Sequence, residues 1–512
     1  MRRSALVSAL ALSLAACGGS SPGSALQYYL VSDPRSLDPA LSTDVTTGEV
    51  VALLFDNLTQ FDAEGRLGPG LATRWETDSA GRTYTFHLRS GVRFHDGRPL
   101  RAMEVAESFR RVLAPGSTGG RSWPLEPIAG ARNRLAGRDT ALRGIQVRDD
   151  STLVLTLEEP LNIFPTLLAM PVAAVVPSPA PGDLGERPVG SGPWRFVSWQ
   201  HDDALRFARN ETYWGGPPLA DSLRIRIIPE PLTQAAEYEA GRLSVVEVPF
   251  GETARWDAAR PAELQRRSAL RAVYVAINTT RGPLRDVRVR RAINHAVDVE
   301  AILRTVYGGR GVLAAGAIPP GLVGHDSTRK RFALDSAMAR RLLGESGHAS
   351  GLSLRLWRTA RPVYARVAEA IQRDLGRVGI AVEIVERDAA SARAAARKGE
   401  TDLFLTDWYG DYPDPENFTW PLFHSSNRGP GGNLAFLEDK ALDELIIRAR
   451  RTADPAEKAA LSREIDGRLF ELAPWLFLWF PVDLWAVRPE IEGWRVPAIF
   501  NGQRWSQVRI AR

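Results

Sequence analysis

Cysteine occurs once in 512 residues, at Cys17, so the chain has no disulfide framework and no cluster of thiolates for a metal. Histidine is scarce as well. The seven, at 87, 95, 201, 295, 325, 348 and 424, show no paired ligand spacing, which demotes capture of nickel or zinc by protein ligands, although a ligand could bring its own metal-binding atoms. Lysine is confined to Lys330, Lys398, Lys440 and Lys458 against 61 arginines, a bias of composition rather than the mark of an arginine-driven site. Without Arg2 and Arg3 near the N-terminus there are 63 basic residues against 60 acidic ones, too even a balance to argue for nucleic acid. No late apolar run is long enough to span a bilayer, since the most hydrophobic, "APWLFLWFPVDLWAV" (473 to 487), is interrupted by Pro474, Pro481 and Asp483. HExxH, the P-loop and G-x-S-x-G are missing, so no reaction centre and no cofactor are expected. What is present is 44% hydrophobic residues, ample for sizeable cores, at a length that favours about three domains.

The N-terminus has a positive "MRR" followed by an apolar and small run from Ala5 to Ala16, the pattern of a secretory signal. It ends in "LAAC", and the sole cysteine directly after two small residues resembles the lipobox of bacterial lipoproteins. That resemblance implies acylation at Cys17 and a chain held at a membrane surface; the other reading is a buried or stray thiol. "GGSSPGS" (18 to 24) then reads as a flexible tether.

From Leu26 onward short β-like runs alternate with helical patterns, the mark of α/β lobes. The alternation in 82–100 predicts a hairpin about Ser90-Gly91, closed by a turn at Asp96-Gly97. A helix follows, with Val105, Phe109 and Val112 or Leu113 on one face. Strands are expected at 151–160, 223–229 and 271–280, and 114–121 is a loop. One helix is expected over 285–303, capped by Asp286, with Val289, Ile293 and Val297 buried and arginines 288, 290 and 291 on a solvated face. A second amphipathic helix covers 362–380, and 439–474 is a helical pair broken near 453–455.

The densest chemistry lies in "TDWYGDYPDPENFTW" (406 to 420), where four acids stand among five aromatic rings. Such a stretch suits a glycosidase cleft, a metal site, a wall for a cationic ligand or a capped loop. Asp411 and Asp414 are the conceivable hydrolase pair, a minor reading. By residue type alone Asp411 is a turn residue capping its own backbone, and Asp414 and Glu416 are solvated turn acids.

"SLDPALS" (36 to 42), "LGPGLATRWETDSAGRTYTFHLRSGVRFHDGRPLRAMEVAESFRR" (67 to 111), "VGSGPWRFVSW" (189 to 199), "RNETYWGG" (209 to 216), "VRVRRAINHAVD" (287 to 298) and the 406–420 stretch follow one another in an order that resembles the family 5 extracellular solute-binding proteins of bacterial ABC importers, the peptide and nickel class. Arg101, Glu104 and His295 depart from the family's usual residues. The resemblance implies an α/β, two-lobed periplasmic-binding-protein-like fold (type II, large cluster C type) with a subdomain inserted in the first lobe. Lobe I would comprise 25–56, 189–277 and 484–512, the insertion 57–188, and lobe II 278–483, with hinge crossings near 273–280 and 477–485. It implies no catalytic step, a short peptide as ligand, an ABC permease as partner, and a monomer outside the cytoplasm. Asp411 would receive the peptide ammonium, with Gly410 just before it, and the backbone of Asp407, Trp408 and Tyr409 would pair with an extended peptide. Asp44, Val45 and Thr46 would form the opposite strand. Arg361, or Arg358 nearby, would take the peptide carboxylate, and Asn433 matches a cleft position. The competing reading keeps the fold and changes the cargo to an oligosaccharide, an opine or a metal chelate.

Overall fold

The structure, a computed structural model, describes residues 25–42, 44–117 and 122–511. Cys17 and the tether lie outside them, as does the end of the loop read at 114–121. Among the described residues the strands form three larger sheets and two small strand pairs.

The first sheet has four strands in the order Ala25–Leu30, Ser222–Ile227, Ala204–Arg209 and Trp194–Gln200, the first pair parallel and the others antiparallel. A second, antiparallel sheet is built wholly from 72–156, in the order Ala72–Thr77, Thr83–Leu88, Thr152–Thr156 and Ile145–Asp149. Its core includes Phe86, Phe109 and Phe164, all fully buried, under the helix Ala102–Val112. The expected hairpin over 82–100 is not there: Thr83–Leu88 pairs with Ala72–Thr77 and Thr152–Thr156, and beyond Gly91 only an isolated bridge joins Arg93 to Pro99. Alternation exposed the strand but not its partner. The tight turn at Gly97 is present, its N–H donating to the Phe94 carbonyl at 2.9 Å.

The third sheet, of eight strands, runs Val245–Glu247, Trp475–Val487, Arg271–Ile277, Leu403–Tyr409, Leu352–Thr359, Ile380–Arg387, with Leu264–Ser268 and Gly311–Leu313 also on Trp475–Val487. The segment 352–409 is a pair of βαβ units, in which Leu352–Thr359 lies parallel to both Ile380–Arg387 and Leu403–Tyr409 and the helices Pro362–Gly376 and Ala389–Arg397 make the crossovers. Both faces of this sheet are covered. Val273, Val275 and Ile277 face Ile293 and Ile371 on one side, while Tyr274 and Ala276 face Phe418 and Ile446 on the other, so the strand reads as an unbroken apolar run. Each valine, isoleucine or phenylalanine among them contributes about 1.5–3 kcal/mol on burial. Trp475–Val487 pairs with Arg271–Ile277 through its first half and with Leu264–Ser268 and Val245–Glu247 through its second.

Two expectations for 285–303 are corrected. The segment forms two helices, Val287–Ala296 capped by Asp286 and Val299–Val306 capped by Asp298, because the Asp298 carboxylate takes the Ala301 N–H and opens a new first turn. Arg290 is buried rather than solvated, donating to the carbonyls of Leu284, Arg285 and Leu472.

The motifs "VGSGPW" and "RNETYWGG" meet around Asp56. Its buried carboxylate accepts from Ser191 Oγ (2.9 Å), Tyr213 Oη (3.1 Å) and Trp214 Nε1 (3.1 Å), and pairs with Arg504 at 2.8 Å. A Cβ at Gly190 would lie 1.9 Å from the Leu54 carbonyl oxygen, so only glycine lets this turn approach the end of the helix Val45–Leu54.

Candidate functional site

The strand Leu403–Tyr409 is fully paired on one edge, Asp407 opposite Val273, Trp408 opposite Ala272 and Tyr409 opposite Arg271. On the other edge its pairing with Leu352–Thr359 stops at Leu405, opposite Arg358. Thr406 to Tyr409 thus present an edge with no strand partner among the described residues, and that edge leads to Gly410 and Asp411. The Gly410 N–H donates to the Leu270 carbonyl at 2.7 Å, and a Cβ there would sit 3.1 Å from the Phe418 ring and 3.2 Å from the same carbonyl. Glycine therefore holds the strand end tight against its support.

Beyond the strand, Asn417 Oδ1 accepts from both the Asp411 N–H (3.0 Å) and Trp408 Nε1 (3.2 Å), which fixes the turn and turns the indole toward it. Pro413 and Pro415 limit the backbone further. The reading of Asp414 and Glu416 as solvated acids is overturned. Asp414 is bonded to the Lys458 ammonium, while Glu416 is buried, accepts from Tyr412 Oη and pairs with Arg450 Nε at 2.7 Å. Burial pushes the Glu416 carboxyl up, and the Arg450 guanidinium works against that shift. Their partners stand on the helices Lys440–Arg451 and Pro455–Leu472, beyond the reach of any local reading.

Asp411 opens onto a cavity of about 550 Å³, of the size that holds small ligands. Tyr409, Arg361 and Arg393 share its wall with Asp411. Asp44, Val45, Trp123, Met170, Pro171 and Phe500 face them from the first half of the chain and its C-terminal end. The two sides touch beside the cavity, where the Tyr412 and Trp123 ring centroids are 6.1 Å apart.

The other residues singled out in the sequence divide into those near this space and those turned from it. Asp407 contributes its backbone to the strand, and its carboxylate holds three groups: Arg271 (2.9 Å), Arg361 (3.2 Å) and Tyr364 Oη (2.7 Å). Burial pushes that carboxyl up, but Arg271 and Arg361 outweigh it and hold it below the usual range. Arg361 is half exposed at the cavity. Arg358, by contrast, is ion-paired to Glu386 and mostly buried. Asn433 is fully buried, its side chain tying the Phe423 and Leu437 carbonyls and the Leu437 N–H, a loop clamp rather than a cleft group.

Asp44, Val45 and Thr46 are not a strand. Val45 and Thr46 open the helix Val45–Leu54, and Asp44 is its N-cap, accepting from the Thr47 N–H (2.9 Å) and Oγ1 (3.1 Å). Thr46 is buried with its Oγ1 3.3 Å from Ser32 Oγ. The residues that sequence reasoning missed are Trp123, Phe500 and Arg393. Trp123 and Phe500 lie in irregular segments with no periodicity to mark a face. Arg393 had a weak signal, since Ala392, Ala395 and Ala396 form the buried face of its alanine-rich helix and leave it on the other side.

Next to the cavity, sharing Phe500 with it, is a small recess lined by Tyr28, Trp494, Trp505 and the half-buried Glu49. Burial pushes the Glu49 carboxyl up to about 8, against a hydrogen bond from Tyr28 that favours ionisation. A carboxyl near 4.5 in the unfolded chain and near 8 in the folded one binds more protons when folded, so its contribution is complete below pH 4.5 and lost as pH rises to 8. We expect the loss to be about 2 kcal/mol, since Glu49 is only half buried, and to vanish in Glu49→Gln. Urea midpoints from pH 5 to pH 8.5 for both proteins test this; parallel profiles would reject it.

The profile of the bacterial extracellular solute-binding proteins, family 5 middle, matches residues 66–430. The chain belongs to this family. The binding protein is 30% identical over 497 residues to the dipeptide-binding protein of Escherichia coli K12, covering 92% of each chain. It is 29% identical over 501 residues to heme-binding protein A of Haemophilus influenzae, covering 93% of this chain and 90% of that one. Among solved structures, the ABC transporter-associated periplasmic binding protein DppA from Helicobacter pylori in complex with the peptide STSA superposes with a TM-score of 0.78 at 26% identity, over 96% of this chain and 98% of that one. The two-lobed architecture expected from the sequence is thereby established. No helix among the described residues is long and apolar enough to cross a membrane.

Proposed function

We propose that this binding protein captures short peptides between its two halves and hands them to an ABC permease, without a chemical step of its own. The observation that carries this reading is the unpartnered edge of Thr406–Tyr409 leading to a carboxylate at the cavity wall. An extended peptide added to that edge hydrogen-bonds through its main chain, whatever its side chains, and its ammonium arrives beside Asp411. An ammonium leaving water needs an anion in compensation, or desolvation cancels the gain. Arg361 stands on the same wall for the carboxylate, its guanidinium oriented by Asp407. The dipeptide-binding relative and the peptide-bound structural neighbour support this cargo class, while the heme-binding relative favours a second reading, a non-peptide solute on the same fold.

Release and capture require the halves to separate about a hinge, for which the crossings near 273–280 and 477–485, the second within the strand Trp475–Val487, are the candidates. We further propose that a lipid on Cys17 holds the protein at a membrane surface outside the cytoplasm, as a monomer. Native mass spectrometry of protein taken from its host's membrane fraction reads both proposals at once. The expected result is a chain beginning at Cys17 with added acyl mass, plus a released ligand whose fragments are amino acids. A heme, sugar or opine in its place would overturn the peptide reading, and an unmodified chain retaining Met1 would overturn the anchor.

A further inference from the structure

The recess beside the cavity has a chemistry of its own. Tyr28, Glu49, Trp494 and Trp505 line it, and Phe500 is a wall of both spaces. Val45, Glu49 and Leu53 recur at every fourth residue of the helix Val45–Leu54, so one helix face runs from the cavity at Val45 into the recess. The step from Val45 to Glu49 is about 6 Å. Tyr409, on the cavity wall, feels the same carboxylate: burial pushes its phenol up, and Asp483, Glu49 and Glu247 add to that shift.

Glu49 is the one charged residue that lines the recess. Among the described residues no arginine, lysine or histidine lies within ion-pair distance of it. The titratable groups around it are the phenols of Tyr28, Tyr29 and Tyr409, all pushed up by burial; beyond them Glu247 is paired with Arg310 at 3.5 Å and Arg504 with Asp56 at 2.8 Å. A half-buried carboxylate without a counter-ion is poorly solvated when it ionises. Indole and phenol rings attract a cation through their faces and pack against an alkyl stem. The free space is about 20 Å³, room for one water-sized group, and a primary ammonium is such a group.

We infer that the recess is a side-chain subsite of the cavity, which takes the ammonium of a lysine in the bound peptide, and that Glu49 receives it. This rests on the peptide reading above. Lysine's four-carbon stem covers the single helical turn between Val45 and Glu49, passing along Phe500, and brings the carboxylate the counter-charge that the fold does not supply.

Calorimetric titration compares Ala-Lys, Lys-Ala and Ala-Lys-Ala with the same peptides carrying norleucine for lysine, on wild type and on Glu49→Gln, at pH 6 and pH 8.5. The terminal groups are alike within each pair, so the ratio of affinities reads the side-chain ammonium alone. Burial pushes the Glu49 carboxyl up to about 8, so at pH 6 the ammonium must displace a proton that is mostly gone at pH 8.5. In at least one pair the wild type is expected to favour lysine about tenfold at pH 8.5 and to lose most of that preference at pH 6, while Glu49→Gln shows no lysine preference at either pH. No preference in any wild-type pair at pH 8.5, a preference that does not change with pH, or one that Glu49→Gln retains overturns the inference and leaves the peptide reading standing. If none of the six peptides binds the folded wild type at either pH, the peptide reading itself fails and takes this inference with it.

Discussion

Asp411→Asn is expected to bind a free peptide about a hundredfold more weakly than wild type while remaining folded, and N-acetylation of the peptide is expected to cost wild type as much. Removing one partner of a desolvated charge pair costs 2–5 kcal/mol or more, chiefly because the other charge stays buried without compensation; about 3 kcal/mol is the hundredfold. Asparagine keeps the size of the side chain, and the Asp411 N–H that bonds Asn417 belongs to the main chain, so that bond is kept. The variant and the acetylated ligand remove the same interaction from opposite sides. Their combination should therefore lose little more than either alone, which a cycle of four calorimetric titrations measures. Full additivity, or an acetylated peptide that binds wild type normally, would return Asp411 to the role of a turn residue.

The regular elements were largely legible because each carries its own period. The helix Ala102–Val112 has Val105, Phe109 and Val112 in its core, and the pair Lys440–Arg451 and Pro455–Leu472 breaks where the sequence places its break. Pairing was not legible. Thr83–Leu88 looked like half of a hairpin with the residues after Gly91, yet its partners are Ala72–Thr77 before it and Thr152–Thr156, about seventy residues away, and nothing in the alternation of a strand names its neighbour. Acids and arginines were misjudged for the same reason. Glu416 and Asp414 are polar by type and near prolines, but Arg450 and Lys458 reach them from distant helices and make them part of the core's support. Arg290 is buried because three backbone carbonyls from two segments converge on it. At the site itself the aspartate, the glycine and the strand before them were readable as one motif. The opposing wall was not, because Trp123 and Phe500 belong to segments whose position depends on the whole of the first half.

That first half depends on one buried ion pair, and Arg504→Met is expected to lower stability by about 3–5 kcal/mol. Arg504 donates from Nε to the Ala52 carbonyl (2.8 Å), from Nη2 to the Phe55 carbonyl (2.8 Å) and from Nη1 to Gln60 Oε1 (2.7 Å), besides its pairing with Asp56. Methionine fills much of the volume and satisfies none of these acceptors. Ser191, Tyr213 and Trp214 would still donate to the Asp56 carboxylate, but without a counter-charge that ion is costly in a site closed to water. The three carbonyl and amide acceptors lie at and just beyond the end of the helix Val45–Leu54, while the arginine comes from the C-terminal segment, so the pair fastens the end of the chain to the helix whose N-cap faces the cavity. Urea unfolding compares wild type, Arg504→Met, Asp56→Asn and the double variant. Because each single change strands the other member of the same pair, the double variant should be less destabilised than the sum of the two. A single variant within 1 kcal/mol of wild type, or strict additivity, would mean that apolar packing of Phe500 and Trp505, not this ion pair, holds the C-terminal segment in place.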